Sequence, residues 1–429
     1  MIMRYNEALE YMANISSIKG IVPGLDNIKE LCKRLGDPQD KLKFIHIAGT
    51  NGKGSTLAFI SSVLTYSGYR VGRYISPTIR DYRERFQINS KMISQSMFCE
   101  LLEVVKEACE DMVSNGLAHP TAFEIETALS FLYFAKKNCD LVVLECGMGG
   151  KDDATNVIST SKLCVITPIS MDHMQFLGDS IEKIAQNKCG IIKKDIPVVS
   201  GYQQKEAYDV ISKKCIEKNS DLYTLSEERI TDIKYSLSKQ SFKLDKTKYE
   251  IKLPGVWQIE NAALSVMALK VLKDTGYKKI TDENIKKGLM STEWPARFQV
   301  VSKKPLLIID GAHNEDAALR LKESIDLYLN DKEKIFIMGM FRDKAVDTVV
   351  KTLVLDARMI FTCQAPDNPR ALRPVELAEV VSGYNKNVTC CDSVEEAVEF
   401  ALSMADENTA VIAAGSLAYL GKILDMYLK

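Results

Sequence analysis

Short runs of aliphatic and β-branched residues alternate along this chain with longer stretches of helical period. Residues 42–48 form a mainly apolar run, as expected of a buried strand, and 55–66 carry the spacing of a helix. Further strands are predicted at 71–75, 140–145 and 162–167, and helices at 95–115 and 122–137. Such alternation belongs to a mostly parallel sheet. Between 222 and 253 the pattern changes. Tyr235-Ser236-Leu237-Ser238, Ser241-Phe242-Lys243-Leu244 and Tyr249-Glu250-Ile251-Lys252-Leu253 alternate apolar with polar residues, predicting a small antiparallel sheet solvated on one face. A helix follows at 257–273. Within 291–299, Trp294-Pro295 interrupts the helical pattern, because proline lacks a backbone donor and biases its predecessor away from helix. Alternation then starts afresh, with strands at 306–309, 334–338, 359–362, 387–390 and 410–413 and a last helix at 417–427. The expectation is an α/β chain: a mostly parallel sheet domain with a small antiparallel sheet, then a second α/β domain.

Length and charge narrow the class. At 429 residues there is room for two or three domains with sizeable cores. The chain is 46% hydrophobic and 26% charged, with a net charge of -1 and both signs interleaved. No basic excess is present to attract nucleic acid or a membrane surface. The first residues carry early charges and no apolar signal core, and no apolar run approaches the roughly 20 residues needed to span a bilayer. Eleven cysteines are scattered without a Cys-x-x-Cys pair, and Cys390-Cys391 are adjacent, which suits a disulfide poorly. These features predict a reduced, soluble, cytoplasmic protein, and nothing in them calls for more than a monomer.

Chemistry gathers at the ends of the predicted strands. After 42–48 comes Gly49-Thr50-Asn51-Gly52-Lys53-Gly54-Ser55, a glycine-rich loop with one lysine that opens a helix. Glycines let backbone N–H groups close around phosphate oxygens, the helix N-terminus adds partial positive charge, and Lys53 can bridge terminal phosphates. A tight strand-to-helix turn would need the glycines but not the lysine. The generic G-x-x-x-x-G-K-[ST] spacing is not met, because Gly54 separates Lys53 from Ser55. Glu145 ends the run at 140–145, where a carboxylate can hold Mg²⁺ against a nucleotide or be an ordinary strand-end glutamate.

Of four histidines, His46 lies inside a strand and reads as core or near-core, and His119 precedes Pro120 in a loop. His173, after Asp172, and His313, in Asp310-Gly311-Ala312-His313-Asn314, each follow a strand within a polar motif. The second motif reads as a site edge or as a turn with a helix cap from Asn314. Two α/β domains with polar strand ends predict a cleft suited to joining two substrates with water excluded.

In this order the motifs resemble the folylpolyglutamate synthase and dihydrofolate synthase family within the Mur ligase superfamily, over nearly the whole chain. Ile47-Ala48-Gly49-Thr50-Asn51-Gly52-Lys53-Gly54-Ser55 has that family's form of the phosphate loop, extra glycine included. Ser76-Pro77 resembles its Ser-Pro-His loop. Glu145-Cys146-Gly147-Met148-Gly149-Gly150-Lys151-Asp152-Asp153-Ala154-Thr155-Asn156, Asp172-His173 and Asn187-Lys188-Cys189-Gly190-Ile191 match further blocks. Pro254-Gly255, Gln258, Asn261-Ala262-Ala263, Pro295-Ala296-Arg297-Phe298 and 310–314 complete the set.

The resemblance implies an ATP-binding central domain with a folate site over 1–294 and a Rossmann-like ligase domain over 295–429. It implies that Gly49, Thr50, Asn51, Gly52, Lys53, Gly54 and Ser55 bind ATP, completed by Asn261, Arg297 and Asp310. Ser76 and Glu145 would hold one Mg²⁺. His173 would help hold a second, with Lys188 as a carbamylated ligand. Thr121, Ala122, Phe123, Glu124, Asp152, Asp153 and Ala154 fall where the family holds the pterin, and an aromatic ring such as Phe123 can stack on a flat heterocycle. Lys53, Lys188 and His313 would act in catalysis, with His313 a candidate for contact with the phosphate or the amine. The implied reaction activates a pteroate or folate carboxylate as an acyl phosphate, which L-glutamate then attacks.

Three positions depart from the family pattern: Thr78 in place of His, Lys151 in place of Arg, and Asp152 in place of an apolar residue. They leave open which pterin is preferred and whether one or both activities are present. A cell-wall Mur ligase is disfavoured by Gly54 and the Asn187–Ile191 block, and by a first strand already at residue 42, which leaves little room for a separate N-terminal substrate domain. A nucleotide switch would not need the motif at 310–314.

Overall fold

The computed structural model describes residues 3–18, 22–366 and 368–427. Contacts divide the chain into two units. The first comprises Met1–Pro77, Arg83–Arg229 and Asn261–Leu289, and the second Thr78–Tyr82, Ile230–Glu260 and Met290–Lys429.

The first unit is built on eight strands: β1 (Phe44–Ala48), β2 (Val71–Tyr74), β3 (Phe86–Ile88), β4 (Lys91–Met92), β5 (Leu141–Glu145), β6 (Ser161–Ile166), β7 (Val198–Ser200) and β8 (Leu222–Thr224). Their order is β4-β3-β2-β5-β1-β6-β7-β8. Strands β2, β5, β1, β6, β7 and β8 run parallel, and β3 and β4 form an antiparallel edge. Every residue of β1 and β5 is buried, as expected where both faces of a parallel sheet are covered. Helix Lys53–Tyr66 is buried along most of its length, and Ser265 of helix Trp257–Asp274 donates to Thr56 O at 3.3 Å.

Register decides what this sheet presents. Tyr74 pairs with Leu144, Ile47 with Glu145, and Ala48 with Ile166. Ser76, Gly49 and Thr167 therefore follow the carboxyl ends of β2, β1 and β6, and Glu145 is the last residue of β5 between β2 and β1, where open α/β sheets bind ligands.

The second unit holds two sheets. The smaller is antiparallel: β9 (Ile230–Lys234), β10 (Gln240–Leu244) and β11 (Thr247–Ile251). The larger contains β12 (Gln299–Lys303), β13 (Leu306–Ile309), β14 (Glu333–Met338), β15 (Met359–Thr362), β16 (Val388–Cys390) and β17 (Thr409–Ala414), in the order β12-β13-β17-β14-β15-β16. It is parallel except for β12. Apolar clusters line both of its faces. Into one of them packs Ile79, from the short segment Thr78–Tyr82. Its carbonyl lies 2.1 Å from where a β-carbon on Gly421 would stand, and Arg80 Nε donates to Asp425 at 2.6 Å.

The predicted elements correspond to observed ones, with two local differences. Residues 235–238 form a loop rather than a strand, and the Tyr235 ring meets Tyr328 edge-on at 6.2 Å. Leu222–Thr224 extends the parallel sheet instead of the antiparallel one. All eleven cysteines are free thiols, ten of them buried, with Cys390 exposed. Among the described residues no helix is long and apolar enough to cross a membrane.

Candidate functional site

In the first unit the loop after β1 is held from two sides. Thr50 N–H donates to Pro168 O at 2.9 Å. Thr50 Oγ1 donates to Ser170 O and accepts from Ser170 N–H, each at 3.0 Å. The loop after β6 thus splints the loop after β1. Gly52, at φ 84, then caps helix Lys53–Tyr66, and the Asn261 side chain lies 2.4 Å from where a β-carbon on Gly52 would stand. The N-terminal N–H groups of that helix have no partners within it, which makes an anion cradle.

Two ammonium groups meet at this cradle. Lys53 Nζ donates to Gly49 O at 3.2 Å and Thr50 O at 3.1 Å. Lys188 Nζ donates to the same Gly49 O at 2.7 Å. Lys188 is only 4% exposed. Burial first, and the nearby Lys53 charge second, push its pKa down to about 7. An arrangement that crowds two cations onto one carbonyl is completed electrostatically by an anion.

Lys188 is placed by the glycine loop after β5. Lys151 N–H donates to Asn187 O at 2.9 Å, and Asn156 Nδ2 donates to Lys151 O at 3.0 Å and Gly190 O at 3.2 Å. A β-carbon at Gly190 would lie 2.3 Å from Lys151 Cα, a backbone approach only glycine permits. The 145–156 and 187–191 motifs are two halves of one clamp.

The residues proposed for the pterin behave differently from one another. The tip of the Phe123 ring lies over Gly147, where a β-carbon would come within 2.5 Å, and the Tyr74 ring is 6.1 Å away. Ala122 and Asp152 are partly exposed, and Ala154 is buried. Thr121 and Glu124 form the capping box of helix Ala122–Lys136, with Glu124 Oε2 accepting from Thr121 N–H at 2.7 Å. Asp153 accepts Met148 N–H at 2.8 Å and Thr155 N–H at 3.0 Å, and burial holds its acidity below that of an ordinary aspartate. Thr121, Glu124 and Asp153 are thus engaged in shaping the walls.

Ser76 and Glu145 fit Mg²⁺, being a hydroxyl and a buried carboxylate at the ends of adjacent strands. His173 sits in a left-handed conformation at φ 51, its Nε2 3.8 Å from Asp172. The free ammonium of Lys188 does not suit a cation and would have to become an anion to serve one. Among the described residues no three His, Cys, Asp or Glu side chains gather as a metal group, and the four candidates contain only one Glu and one His.

In the second unit Arg297 is bracketed by two non-glycine residues of positive φ, Ala296 (54°) and Phe298 (45°). Such backbone persists only where its surroundings hold it. Asp310, directly after β13, does so: Oδ2 accepts Phe298 N–H at 2.7 Å and Oδ1 accepts Ala312 N–H at 2.8 Å. Gly311 N–H donates to Ala296 O at 3.0 Å. Burial raises the Asp310 pKa, opposed by Arg297 and the two amides. His313 Nδ1 lies 2.8 Å from Gly311 O, and Asn314 caps helix Glu315–Tyr328. The 310–314 motif caps a helix, as one of its two readings has it, and it brings Asp310 and His313 beside the turn that carries Arg297. Asp310→Asn keeps the shape but turns an NH₂ toward one of two amide donors. It is expected to cost about 1–3 kcal/mol in urea unfolding, and an unchanged unfolding free energy would mean that these two bonds do not hold the turn.

Sequence reasoning missed Ser170, Asn156 and Asn187 as organisers of the loops. The Asn187–Ile191 block pointed at the region, but a hydroxyl-to-backbone splint such as Thr50 with Ser170 leaves no periodic signal.

The family model described as Mur ligase middle domain matches residues 47–269, and that described as Mur ligase, glutamate ligase domain matches 296–417. The chain is 36% identical over 411 residues to a dihydrofolate synthase/folylpolyglutamate synthase of Bacillus subtilis, covering 94% of this chain and 95% of that one. It is 32% identical to a folylpolyglutamate synthase of Lacticaseibacillus casei, covering 97% and 96%. A solved structure of Mycobacterium tuberculosis folylpolyglutamate synthase complexed with ADP superposes with a TM-score of 0.91 at 26% identity, covering 98% of each chain.

Proposed function

The chain belongs to the folylpolyglutamate synthase and dihydrofolate synthase family of Mur ligases, and from that premise we propose that it joins L-glutamate to dihydropteroate, to folate (poly)glutamates, or to both, at the expense of ATP. The observation that carries this reading is the pair of ammonium groups, Lys53 and Lys188, converging on Gly49 O at a helix N-terminus.

ATP phosphates take the cradle of 49–55, where Lys53 and the free N–H groups offset charge on the transferring phosphoryl group. The substrate carboxylate attacks the γ-phosphate, giving an acyl phosphate and ADP. The glutamate amine then attacks the acyl carbon, forming the amide and releasing phosphate. Ser76, Glu145, His173 and a carbamylated Lys188 would hold Mg²⁺, which supplies charge neutralisation to the phosphates. Phe123 offers its ring to the pterin, and Asp152 offers a carboxylate. Arg297 and Asp310 extend the nucleotide contacts, and His313 contacts the phosphate or the amine. With the sequence divided at 294/295, this reading gives the folate and the phosphates of the nucleotide to residues 1–294, and Arg297, Asp310 and the second substrate's chemistry to residues 295–429. On this reading the protein acts in the cytoplasm as a monomer.

Phosphate release with Mg-ATP tests the proposal. We expect release to require both glutamate and a pteroate or folate acceptor, with the acceptor giving the larger rate naming the preferred activity. Equal release without any acceptor would sink the ligase reading.

A further inference from the structure

β1 carries a single polar side chain, His46, among Phe44, Ile45, Ile47 and Ala48, and it is fully buried. Its Nε2 lies 2.9 Å from Thr155 Oγ1 and 3.1 Å from Cys146 Sγ. Its Nδ1 is buried without a partner among the described residues. An orphaned N–H is costlier in a protein interior than an unused lone pair. The proton therefore sits on Nε2, where Thr155 Oγ1 is the better acceptor. The Thr155 hydroxyl in turn donates to Asp153 Oδ1, which also takes Thr155 N–H at 3.0 Å. Asp153 Oδ2 takes Met148 N–H at 2.8 Å. Imidazole, hydroxyl and carboxylate thus form one chain of hydrogen bonds from the middle of the sheet to both ends of the glycine loop.

We propose that His46 is a positioning residue for the proposed reaction: through Thr155 and Asp153 it pegs the loop 147–156 to β1, and so sets the stretch that carries Asp152 and clamps Lys188. This rests on the reading that the loop lines the folate side of the site. An apolar residue at 46 would fill the same strand without reaching Thr155. Burial holds the His46 pKa down to about 3, so the ring stays neutral and keeps one tautomer. No motif block includes His46.

The test combines kinetics with spectroscopy. His46→Leu, Thr155→Val and the double variant are assayed with ATP and the folate acceptor varied separately. His46→Gln, whose amide can replace the Nε2 donor, serves as the conservative variant. Each single variant is expected to raise the acceptor KM at least about fivefold and leave the ATP KM within about twofold, with the double no worse than the worse single. His46→Gln should recover most of the loss. ¹⁵N shifts of the ring should show Nε2 protonated. Thr155→Val alone, the loss of one hydroxyl, keeps the test open if His46→Leu does not fold. Unchanged acceptor KM with only lowered thermal stability, additive effects, or an Nδ1–H tautomer would each overturn the proposal. Asp152→Ala separates the two readings. If it leaves the acceptor KM unchanged, the folate reading falls, and the peg is decided by the tautomer and by the unfolding free energies of the same cycle: coupling upholds it, additivity overturns it.

Discussion

Lys188→Met is expected to lower kcat about a thousandfold and to raise the thermal midpoint of the same protein. Both follow from one geometry. The Lys188 ammonium is buried against Gly49 O with Lys53 close by, and its pKa falls from 10.5 to about 7. An ordinary lysine at that starting value is neutral in roughly one molecule in three thousand at pH 7, whereas here the neutral amine is roughly half the population. Only the neutral amine reacts with CO₂, so the depressed value prepares Lys188 for the carbamate the proposed metal site requires. Mass spectrometry of the parent under CO₂ should show the added carboxyl group.

The stability effect has a definite sign. In the unfolded chain the lysine keeps its proton up to about 10.5, and in the folded chain it gives it up from about 7. Between those values the unfolded state binds more protons, so folding is favoured as pH rises, by at most about 1.4 kcal/mol per pH unit. Below pH 7 both states are charged and the full burial penalty is present. Methionine carries no such penalty. The variant should therefore melt higher than the parent by about 2–4 °C per kcal/mol recovered, with the gap widest below pH 7 and closing toward pH 10. Retained kcat would remove Lys188 from catalysis, and a gap that does not change with pH would contradict the buried ammonium.

Gly49→Ala should be the most damaging single-methyl change in the phosphate loop. Gly49 has φ 148, and a β-carbon there would stand 1.9 Å from Thr167 Oγ1 and 2.9 Å from Thr167 O. The second atom is backbone, so no rotamer change relieves the clash. Thr167 N–H also donates to Ala48 O at 2.8 Å, so relief means parting β1 from β6 just where both lysines reach Gly49 O. We expect a loss of about 2–4 kcal/mol in unfolding free energy and a KM for ATP raised about a hundredfold or more. Gly116→Ala is the control: φ there is also positive, at 76, but nothing lies within 4 Å. It should cost only about 1 kcal/mol of strain and leave the ATP KM alone. Equal effects at the two sites would mean that backbone strain, and not the approach of Thr167, governs Gly49.

What was legible in the sequence is what is local. The run before Gly49, the lysine at the helix start and the Asp310 turn each declare themselves within a few residues, and they lie where the pattern places them. Lys188 is the opposite case. Its own helix, Ile181–Lys188, reads as ending in a surface lysine, yet the residue is buried by a loop more than thirty positions earlier. The family resemblance marks Lys188 as a candidate ligand but not as buried, because periodicity carries no information about which distant loop covers a helix end. β7 and β8 escaped for another reason: three residues each are too few to establish a period. For Thr121, Glu124 and Asp153 the positions are legible but the bonds to neighbouring backbone are not, since a carboxylate that binds its own backbone and one that faces a ligand look alike in sequence.

The division of the chain has a consequence for how it can be made or dissected. The backbone passes from one unit to the other five times, after residues 77, 82, 229, 260 and 289. No single cut therefore yields either unit whole. During synthesis Ile79 leaves the ribosome some two hundred residues ahead of the C-terminal sheet whose apolar cluster it enters. The first unit has all its segments by residue 289, while Thr78–Tyr82 waits for Gly421 and Asp425. The early loop therefore completes its packing only once helix Leu417–Tyr427 has been made, and a nascent chain stalled before that helix would carry Ile79 exposed to chaperones and proteases.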